Sequence, residues 1–370
     1  MLRKAMQKHW VILIIGMALG WAVLAACAAI TTATPTPEVA TEEAAEEVVE
    51  EATEEVAEVA TEEVAAPEPE EAVQEGASLL DEVKARGVVK CGVNPGLPGF
   101  STLDASGQNV GFDVDFCRAI AVAIFNDPEA VEFIPLTADQ RLPALQAGEI
   151  DVLIRNTTWT LTRDTENGLD FTVINFYDGQ GYLARKEFTS VEDLDGANIC
   201  VLSGTTTELN LADDFARRGL TFNPIVLAET AETFASLADG TCDALTSDRS
   251  QLAAGLSAMP NKEDFAILPD TISKEPLGPV VRQNDSRWRD VVVWTLYAMI
   301  QAEELGVNQA NVDEFLTSDD VTVQRLLGTH AEEDIGAKLG LSKDWAYNVI
   351  KLVGNYGDVY ERHLTPIGIL

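Results

Sequence analysis

Apolar and polar residues alternate along the chain after residue 77 in blocks that predict strands and helices in turn. Apolar runs predict strands at 87–93, 131–136 and 150–154, and helically spaced apolar positions predict helices at 113–125 and 137–147. This strand–helix–strand–helix–strand order is typical of a parallel sheet covered by helices. The first half of the folded chain is therefore predicted to be an α/β unit.

The same order recurs in the second half. Strands are predicted at 197–202, 222–227 and 242–246, and helices at 206–217 and 231–238. The remainder, from about residue 285, is predicted to be mainly helical. Two similar α/β lobes would enclose a cleft, which is the usual place for a ligand.

The N-terminus has the layout of an export signal. Arg3, Lys4 and Lys8 precede an apolar run at 10–24, which is short of the roughly 20 residues of a spanning helix. The run ends in Leu-Ala-Ala-Cys, which resembles the bacterial lipobox. We therefore predict a lipoprotein signal peptide at 1–26 and a lipidated Cys27. The alternative is an ordinary signal peptide or an uncleaved anchor with a chance cysteine.

A low-complexity acidic segment follows the signal. Residues 31–77 contain 16 Glu and no Asp, Lys or Arg. Uniform negative charge without aromatic residues cannot form a core. The segment 27–77 is predicted to be a disordered linker that spans roughly 40 Å on average, which leaves the folded part free to move over a membrane partner.

Composition limits the function further. The 370 residues fit about two domains at roughly 100–200 residues each. With 25 basic and 61 acidic residues the net charge is −36, so phosphate backbones repel the protein and nucleic-acid binding is excluded. The 46% of apolar residues excludes wholesale disorder. Three His and five Cys leave little material for a metal cluster or a histidine relay, and no cofactor or metal is expected.

Four cysteines remain when Cys27 is assigned to the lipid. An exported location permits disulfides, and four cysteines allow three connectivities. Cys91 and Cys117 fall in the first βα unit of one half, while Cys200 and Cys242 fall in neighbouring predicted strands of the other. One bridge in each half is favoured, and four buried free thiols are the alternative.

Polar residues capable of holding a ligand follow the third strand of the first half. Asn156 and Thr158 supply short polar arms, Trp159 an apolar wall, and Arg163 a guanidinium that can bind a carboxylate bidentately. Ligands of open α/β sheets bind at this end of the strands. The alternative for Arg163 is an ion pair with Asp170.

The second half offers two complementary features. Thr205 and Thr206 stand between a strand and a helix, where free backbone N–H groups favour an anion. They can at the same time cap the helix together with Glu208. Asp248 ends the third strand and could hold an ammonium group; its alternative role is the N-cap of the next helix. An anion site and a carboxylate together match the backbone of an α-amino acid.

Several segments resemble one known family. Segment 110–117, VGFDVDFC, is similar to the GFDVDL signature of the bacterial family 3 extracellular solute-binding proteins, and segments 160–171, 203–208 and 246–250 resemble three further motifs of that family. Segments 91–104, 155–165 and 354–364 look closest to its general L-amino-acid-binding subgroup. The resemblance implies a two-lobed type II periplasmic-binding-protein-like fold with two hinge crossovers. Lobe 1 would comprise 78–182 plus 281–370, and lobe 2 would comprise 183–280.

The resemblance also implies residue roles. Arg163 would hold the ligand carboxylate, helped by Thr158 and by the backbone at Thr205 and Thr206. Asp248 would hold the ammonium.

Other positions are implied to surround the ligand. Asn156 would assist at the ammonium through its carbonyl, Phe100 and Trp159 would flank the ligand side chain, and Leu97 would lie near that pocket. Arg141 is a weaker candidate for contacting polar side chains; its alternative role is a solvated helix charge.

The implied function is a lipid-anchored binding protein on the outer face of the bacterial cytoplasmic membrane. It would be a monomer that captures L-amino acids, polar and of broad range, and delivers them to the transmembrane subunits of an ABC permease. The alternatives are a dehydratase-like enzyme or a ligand-sensing domain on the same fold. Catalysis needs a positioned acid or base, and His330 and His363 are predicted to lie away from the cleft. No spanning helix or signalling segment is expected after the lobes, which disfavours the sensor.

Overall fold

The structure, a computed structural model, describes residues 78–165 and 168–369. The predicted signal peptide, Cys27 and the acidic linker lie outside the described residues. The strands are β1 (Val89–Val93), β2 (Thr102–Leu103), β3 (Asn109–Val110), β4 (Val131–Pro135), β5 (Val152–Leu153), β6 (Leu169–Phe171), β7 (Phe176–Asp178), β8 (Gln180–Arg185), β9 (Ala197–Leu202), β10 (Phe222–Leu227), β11 (Ala244–Asp248), β12 (Phe265–Ile267), β13 (Glu275–Leu277) and β14 (Val280–Arg282). The α-helices are α1 (Leu79–Arg86), α2 (Phe112–Phe125), α3 (Arg141–Ala147), α4 (Leu161–Thr165), α5 (Thr206–Arg218), α6 (Thr230–Asp239), α7 (Arg249–Ala258), α8 (Ser286–Glu304), α9 (Val321–Leu327), α10 (Ile335–Leu339), α11 (Trp345–Leu352) and α12 (Tyr356–His363).

Two five-stranded sheets organise these elements. The first has the order β4-β1-β5-β14-β6, with β1 parallel to β4 and β5, and β14 antiparallel to β5 and β6. The second has the order β10-β9-β11-β8-β12, with β9 parallel to β10 and β11, and β8 antiparallel to β11 and β12. We call the body around the first sheet the first lobe and the body around the second sheet the second lobe.

A two-stranded ribbon lies in the chain between the two sheets. Strands β7 and β13 pair antiparallel, with Glu275 opposite Asp178. The chain runs through β7 on its way from β6 in the first sheet to β8 in the second, and through β13 on its way back from β12 to β14. Both connections between the sheets therefore pass through this ribbon, which is the position of a hinge.

Apolar burial holds each lobe together. In the first lobe α2, α8 and α11 pack with strand β1 around one core cluster, and the indole N–H of the fully buried Trp288 on α8 donates to the carbonyl of Asp151 at 3.0 Å. In the second lobe, Tyr182 and Phe215 belong to a separate cluster between the sheet and α5. The helical residues after 285, predicted from sequence, thus complete the first lobe.

Each lobe contains one disulfide. Cys91 on β1 is joined to Cys117 on α2, and Cys200 on β9 is joined to Cys242, just before β11, with Cα atoms 6.1 Å and 5.7 Å apart respectively. The first bridge fixes a strand to the helix that covers it. The second fixes the start of β11 to its parallel neighbour.

Four predicted elements begin later than expected. Strand β1 begins at Val89 rather than at 87, and β5 begins at Val152 rather than at 150. The helix predicted from 137 begins at Arg141, because Thr137 and Gln140 bond to each other's amides in a turn before it. The strand predicted at 242–246 is found at 244–248, because the amide of Cys242 still bonds to Ser236 of α6. The shift makes Asp248 the last residue of β11.

Among the helices that the structure describes, none is both long enough and apolar enough to cross a membrane.

Candidate ligand-binding cleft

A narrow cavity lies between the lobes at the carboxyl ends of parallel strands. The first lobe contributes residues that follow β5, and the second lobe contributes the ends of β9 and β11 with the first residues of α5 and α7. The residues around it are Arg141, Arg155, Asn156, Thr158, Leu202, Thr205, Thr206, Thr207, Ser247, Asp248 and Gln251. Five of the predicted site residues, Asn156, Thr158, Thr205, Thr206 and Asp248, are brought together here.

Asp248 supplies a buried carboxylate from the second lobe. It is 6% exposed and precedes α7, but among the described residues its side chain caps no amide of that helix. Burial raises its pKa well above the usual range, and the nearby carboxylates of Asp178 and Glu275 add to this, while Arg141 and Arg163 oppose it. The buried carboxylate of Asp248 therefore favours a cationic partner, such as an ammonium group.

Arg163 reaches across the cleft from α4 of the first lobe. Its Nη1 donates to the carbonyl of Thr158 at 2.9 Å, and its Nη2 to the carbonyl of Gly204 in the second lobe at 3.5 Å. Burial lowers the pKa of Arg163, and Asp248 and Glu275 offset this. Within the described part of the chain no ion pair joins Arg163 to Asp170, the alternative partner. Both of its bonds instead go to carbonyls at the cleft.

The start of α5 presents backbone amides to the cavity. Thr205 occupies the N-cap position, but its hydroxyl donates to the carbonyl of Leu202 at 2.6 Å and caps none of the described amides of α5. The alternative capping arrangement with Glu208 is therefore not formed. Thr206 turns its hydroxyl to Glu275 at 3.2 Å. The positive end of a 13-residue helix thus remains available to an anion.

Asn156 connects the two lobes. Its backbone lies in the left-handed region at φ 32°, and its N–H donates to Asp113 at 3.2 Å. Its side-chain amide donates to Gln251 on α7 at 3.1 Å. Burial raises the pKa of Asp113 to about 7, against the effects of the Asn156 N–H and of Arg155.

Two further arginines face the cavity. Arg141, for which a solvated helix charge was the alternative role, is only 3% exposed, so that interpretation is wrong. Its Nη1 donates to the carbonyl of Arg155 at 3.3 Å and to the hydroxyl of Thr157 at 3.4 Å. Its buried Nε has no hydrogen-bond partner among the described residues. Burial, together with Arg155 and Arg163, lowers the pKa of Arg141 well below its usual range.

Sequence reasoning overlooked Arg155, although a signal was available. It comes two residues after β5 ends, in the position where open α/β sheets present side chains to a ligand. Its Nε donates to the carbonyl of Leu136 at 2.9 Å, and burial lowers its pKa to about 10. Gln251, one turn into α7, carried no sequence signal at all.

Four other predicted residues are not among those around the cavity: Arg163, which lies beside it, and Phe100, Trp159 and Leu97. Phe100 is 1% exposed and packs edge-on against the rings of Phe112 and Phe176. Trp159 stacks on Phe171 at 5.5 Å within the first lobe. Leu97 borders a neighbouring groove. Their contact with a ligand stays a prediction.

Comparison with known proteins supplies the family. The model of the bacterial extracellular solute-binding proteins, family 3, matches residues 89–310. The chain belongs to this family. The family predicted from the sequence motifs is confirmed, and with it the two-lobed type II fold.

Relatives of this solute-binding protein cover most of the folded chain. The general L-amino acid-binding periplasmic protein AapJ of Rhizobium johnstonii is 52% identical over 290 residues, 78% of this chain and 85% of AapJ. The glutamate/glutamine/aspartate/asparagine-binding protein BztA of Rhodobacter capsulatus is 49% identical over 299 residues, 79% of this chain and 88% of BztA. These relatives are binding proteins, so the enzyme alternative is not supported.

A solved structure agrees with the fold. It is an ABC transporter periplasmic binding protein from Brucella ovis with glutathione bound, 52% identical, with a TM-score of 0.76 over 78% of this chain and 91% of that one. A cysteine-binding protein from Campylobacter jejuni is more distant, with 26% identity and a TM-score of 0.56 over 67% of this chain and 98% of that one.

Proposed function

We propose that this solute-binding protein captures L-amino acids outside the cytoplasmic membrane and delivers them to an ABC permease. The observation that carries the proposal is the pairing of opposite charges across one cavity. Arg163 comes from the first lobe and Asp248 from the second, and both are buried. The names of AapJ and BztA, at about half identity, support the same ligand class.

The zwitterionic end of the ligand is held from both sides. Arg163 receives the carboxylate, assisted by the Thr158 hydroxyl and by the backbone amides at Thr205 and Thr206. Asp248 receives the ammonium, and the carbonyl of Asn156 assists. Charged hydrogen bonds of this kind contribute about 1.5–3 kcal/mol each, so a few of them supply the roughly −8 kcal/mol of micromolar binding.

Ligand entry requires the lobes to separate. The cavity has a volume of about 20 Å³, far below the roughly 300–1,000 Å³ of a typical ligand pocket, so the lobes open about the β7–β13 ribbon and close again on the ligand. The Arg163–Gly204 and Asn156–Gln251 bonds cross the cleft and belong to the closed arrangement. Because the ligand touches both lobes only when they are closed, it favours that form, which then docks on the permease.

Arg141 sets the preferred side chains. The guanidinium groups of Arg141 and Arg155 border the cavity, where they can meet a side-chain oxygen of the ligand. The unpartnered Nε of Arg141 is a donor that a side-chain carboxylate or amide oxygen can satisfy. Glutamate, glutamine, aspartate and asparagine are thus the expected ligands, within a broad polar range.

Larger ligands with the same amino-acid end are included in the proposal. The Brucella ovis structure holds glutathione, whose γ-glutamyl end carries a free α-carboxylate and α-ammonium. The clamp of Arg163 and Asp248 recognises only that end and accepts any extension that the surroundings admit.

Calorimetry of residues 78–370 against the twenty L-amino acids tests the function. We expect micromolar dissociation constants for the four acidic and amide amino acids. We expect no binding of D-glutamate, which cannot present its α-carboxylate, α-ammonium and side-chain carboxylate to the three binding positions at once. If none of the twenty binds, the proposal fails.

The envelope location forms a second part of the proposal. Residues 1–26 are removed as a signal peptide, Cys27 carries the lipid, and 27–77 tether a monomer to the outer face of the cytoplasmic membrane. The first lobe boundary is better placed before Gln180, where β8 of the second sheet begins, than at the predicted 182/183; the boundary at 280/281 stays a prediction. Labelling of the full chain with palmitate should be lost in Cys27→Ala; a label that persists contradicts the anchor.

A further inference from the structure

A second concave site lies one helical turn from the Asp248 cavity. This groove of about 290 Å³ is formed by the loop at Leu97 and Pro98 of the first lobe and by α6 and α7 of the second. Gln251 of α7 borders the cavity, and Gly255 of α7 borders the groove. Residues four apart share one face of a helix at a rise of about 6 Å, so the two sites are neighbours along α7.

A row of amides separates the two sites. The side chain of Gln251 accepts a hydrogen bond from the side-chain amide of Asn156. The side-chain oxygen Oδ1 of Asn156 in turn accepts from the side-chain amide of Asn94 at 3.3 Å. Asn94 in turn accepts from the backbone of Gly96 at 3.1 Å, and Gly96 borders the groove. A peptide tail that passes from one site to the other therefore runs beside polar groups with which its own amides can hydrogen-bond.

The groove is apolar with one polar feature. Phe234 and Met259 are among its apolar residues, and the Phe234 ring lies directly on Gly255, where any side chain would collide with it. Thr230 begins α6 and is 5% exposed, and its hydroxyl has no hydrogen-bond partner among the described residues. The N-cap residue Glu229 caps none of the described amides of this ten-residue helix with its side chain.

These features fit the amide groups of a peptide tail better than a small anion seated at the helix start, so a terminal carboxylate on the tail is expected to project out of the groove into solvent. A peptide tail has carbonyl oxygens that can accept from Thr230 and from the free amides of the first turn of α6. Its small side chains can pack on Phe234 and Met259. A bare anion is less suitable, because Glu229 and Glu232 stand at the same helix end.

We infer that the groove is a second subsite, which takes the peptide tail of a ligand whose α-amino-acid end is held by Arg163 and Asp248. The ligand class is the γ-glutamyl peptides, in which the side-chain carboxyl of glutamate is amide-linked to further residues. The inference rests on the proposed function and extends it. The solved structure with glutathione, at 52% identity, supports the choice of a peptide over a protein partner.

Calorimetry with two probes tests the subsite. L-Glutamate reports on the amino-acid end alone, and S-methylglutathione adds the tail without a thiol that could react with the disulfides. Ala235→Phe, from the exposed face of α6, fills the groove. Ala212→Phe places the same ring on the exposed face of α5, away from both sites, as the matched control. Thr230→Val removes the unpartnered hydroxyl at constant shape.

The wild-type protein and Ala212→Phe should bind both probes. Ala235→Phe should weaken the binding of S-methylglutathione by at least about tenfold. Thr230→Val should weaken the binding of the same probe by about threefold or more, since a single neutral hydrogen bond is lost. Both variants should bind L-glutamate as the wild type does.

Two results overturn the inference and leave the proposed function standing. One is binding of L-glutamate but not of S-methylglutathione to the wild type. The other is equal affinity of S-methylglutathione for the wild type, Ala235→Phe and Thr230→Val. Failure of the wild type to bind either probe overturns the proposed function as well.

Discussion

Replacing Asp248 by Asn removes one charge from the cleft and almost nothing else. The side chain is buried, so solvent screens its interactions little, and a ligand ammonium beside it gains a charged hydrogen bond of about 1.5–3 kcal/mol. Loss of that bond corresponds to a roughly 10- to 150-fold weaker affinity. Since burial and the neighbouring carboxylates raise the pKa of Asp248, wild-type affinity should also fall as the pH is lowered and the carboxyl becomes protonated.

The assay is calorimetric titration of residues 78–370 with L-glutamate at neutral and mildly acidic pH. Asp213→Asn, on the exposed face of α5, is the matched control and should bind as the wild type does. Thermal unfolding of each variant separates lost binding from lost folding. Wild-type affinity in Asp248→Asn, with the same pH dependence, would refute the assignment of the ammonium to this carboxylate.

Three further predictions concern the side-chain pocket, the pH dependence of stability and the disulfide of the second lobe. In calorimetry, Arg141→Met should weaken the binding of L-glutamate at least about tenfold but that of L-alanine less than about threefold. Equal losses of affinity for the two ligands would contradict a contact between Arg141 and the ligand side chain. The pKa of Asp113 is raised from 3.8 to about 7, so the folded state holds a proton that the unfolded state releases between those pH values. Its contribution to the free energy of unfolding therefore falls as pH rises from about 4 to about 7; urea denaturation should find this slope flattened in Asp113→Asn, and an unchanged slope would count against it. Replacing both Cys200 and Cys242 by Ala should lower the free energy of unfolding by roughly 4 kcal/mol, as expected for the opening of a loop of 42 residues; a loss below about 1 kcal/mol in the same assay would be inconsistent with this bridge.

Sequence patterns predicted the repeated α/β order because strands and helices differ in the spacing of their apolar residues. Strand β9 and strand β10 lie where the apolar runs indicated. The start of β11 was placed two residues early, because Cys242 is apolar like the strand that follows but is still tied to α6 by a backbone bond. Local hydrophobicity does not distinguish a buried strand residue from a buried turn residue.

The candidate site was predictable where a residue directly follows a strand. Asn156, Thr158 and Asp248 all stand at carboxyl ends of strands, and the structure puts them around one cavity. Arg141 belongs to a helix, where an arginine is usually solvated, but tertiary contacts with the residues after β5 bury it. Contacts between lobes, such as Asn156 with Gln251, depend on the closure angle, which no local pattern encodes.

The most direct test of the account is a crystal structure of residues 78–370 with bound L-glutamate. We predict the α-carboxylate at hydrogen-bonding distance, roughly 3 Å, from the Arg163 guanidinium, and the α-ammonium at a similar distance from the Asp248 carboxylate. A glutamate bound with both groups away from these two side chains would contradict the central claim.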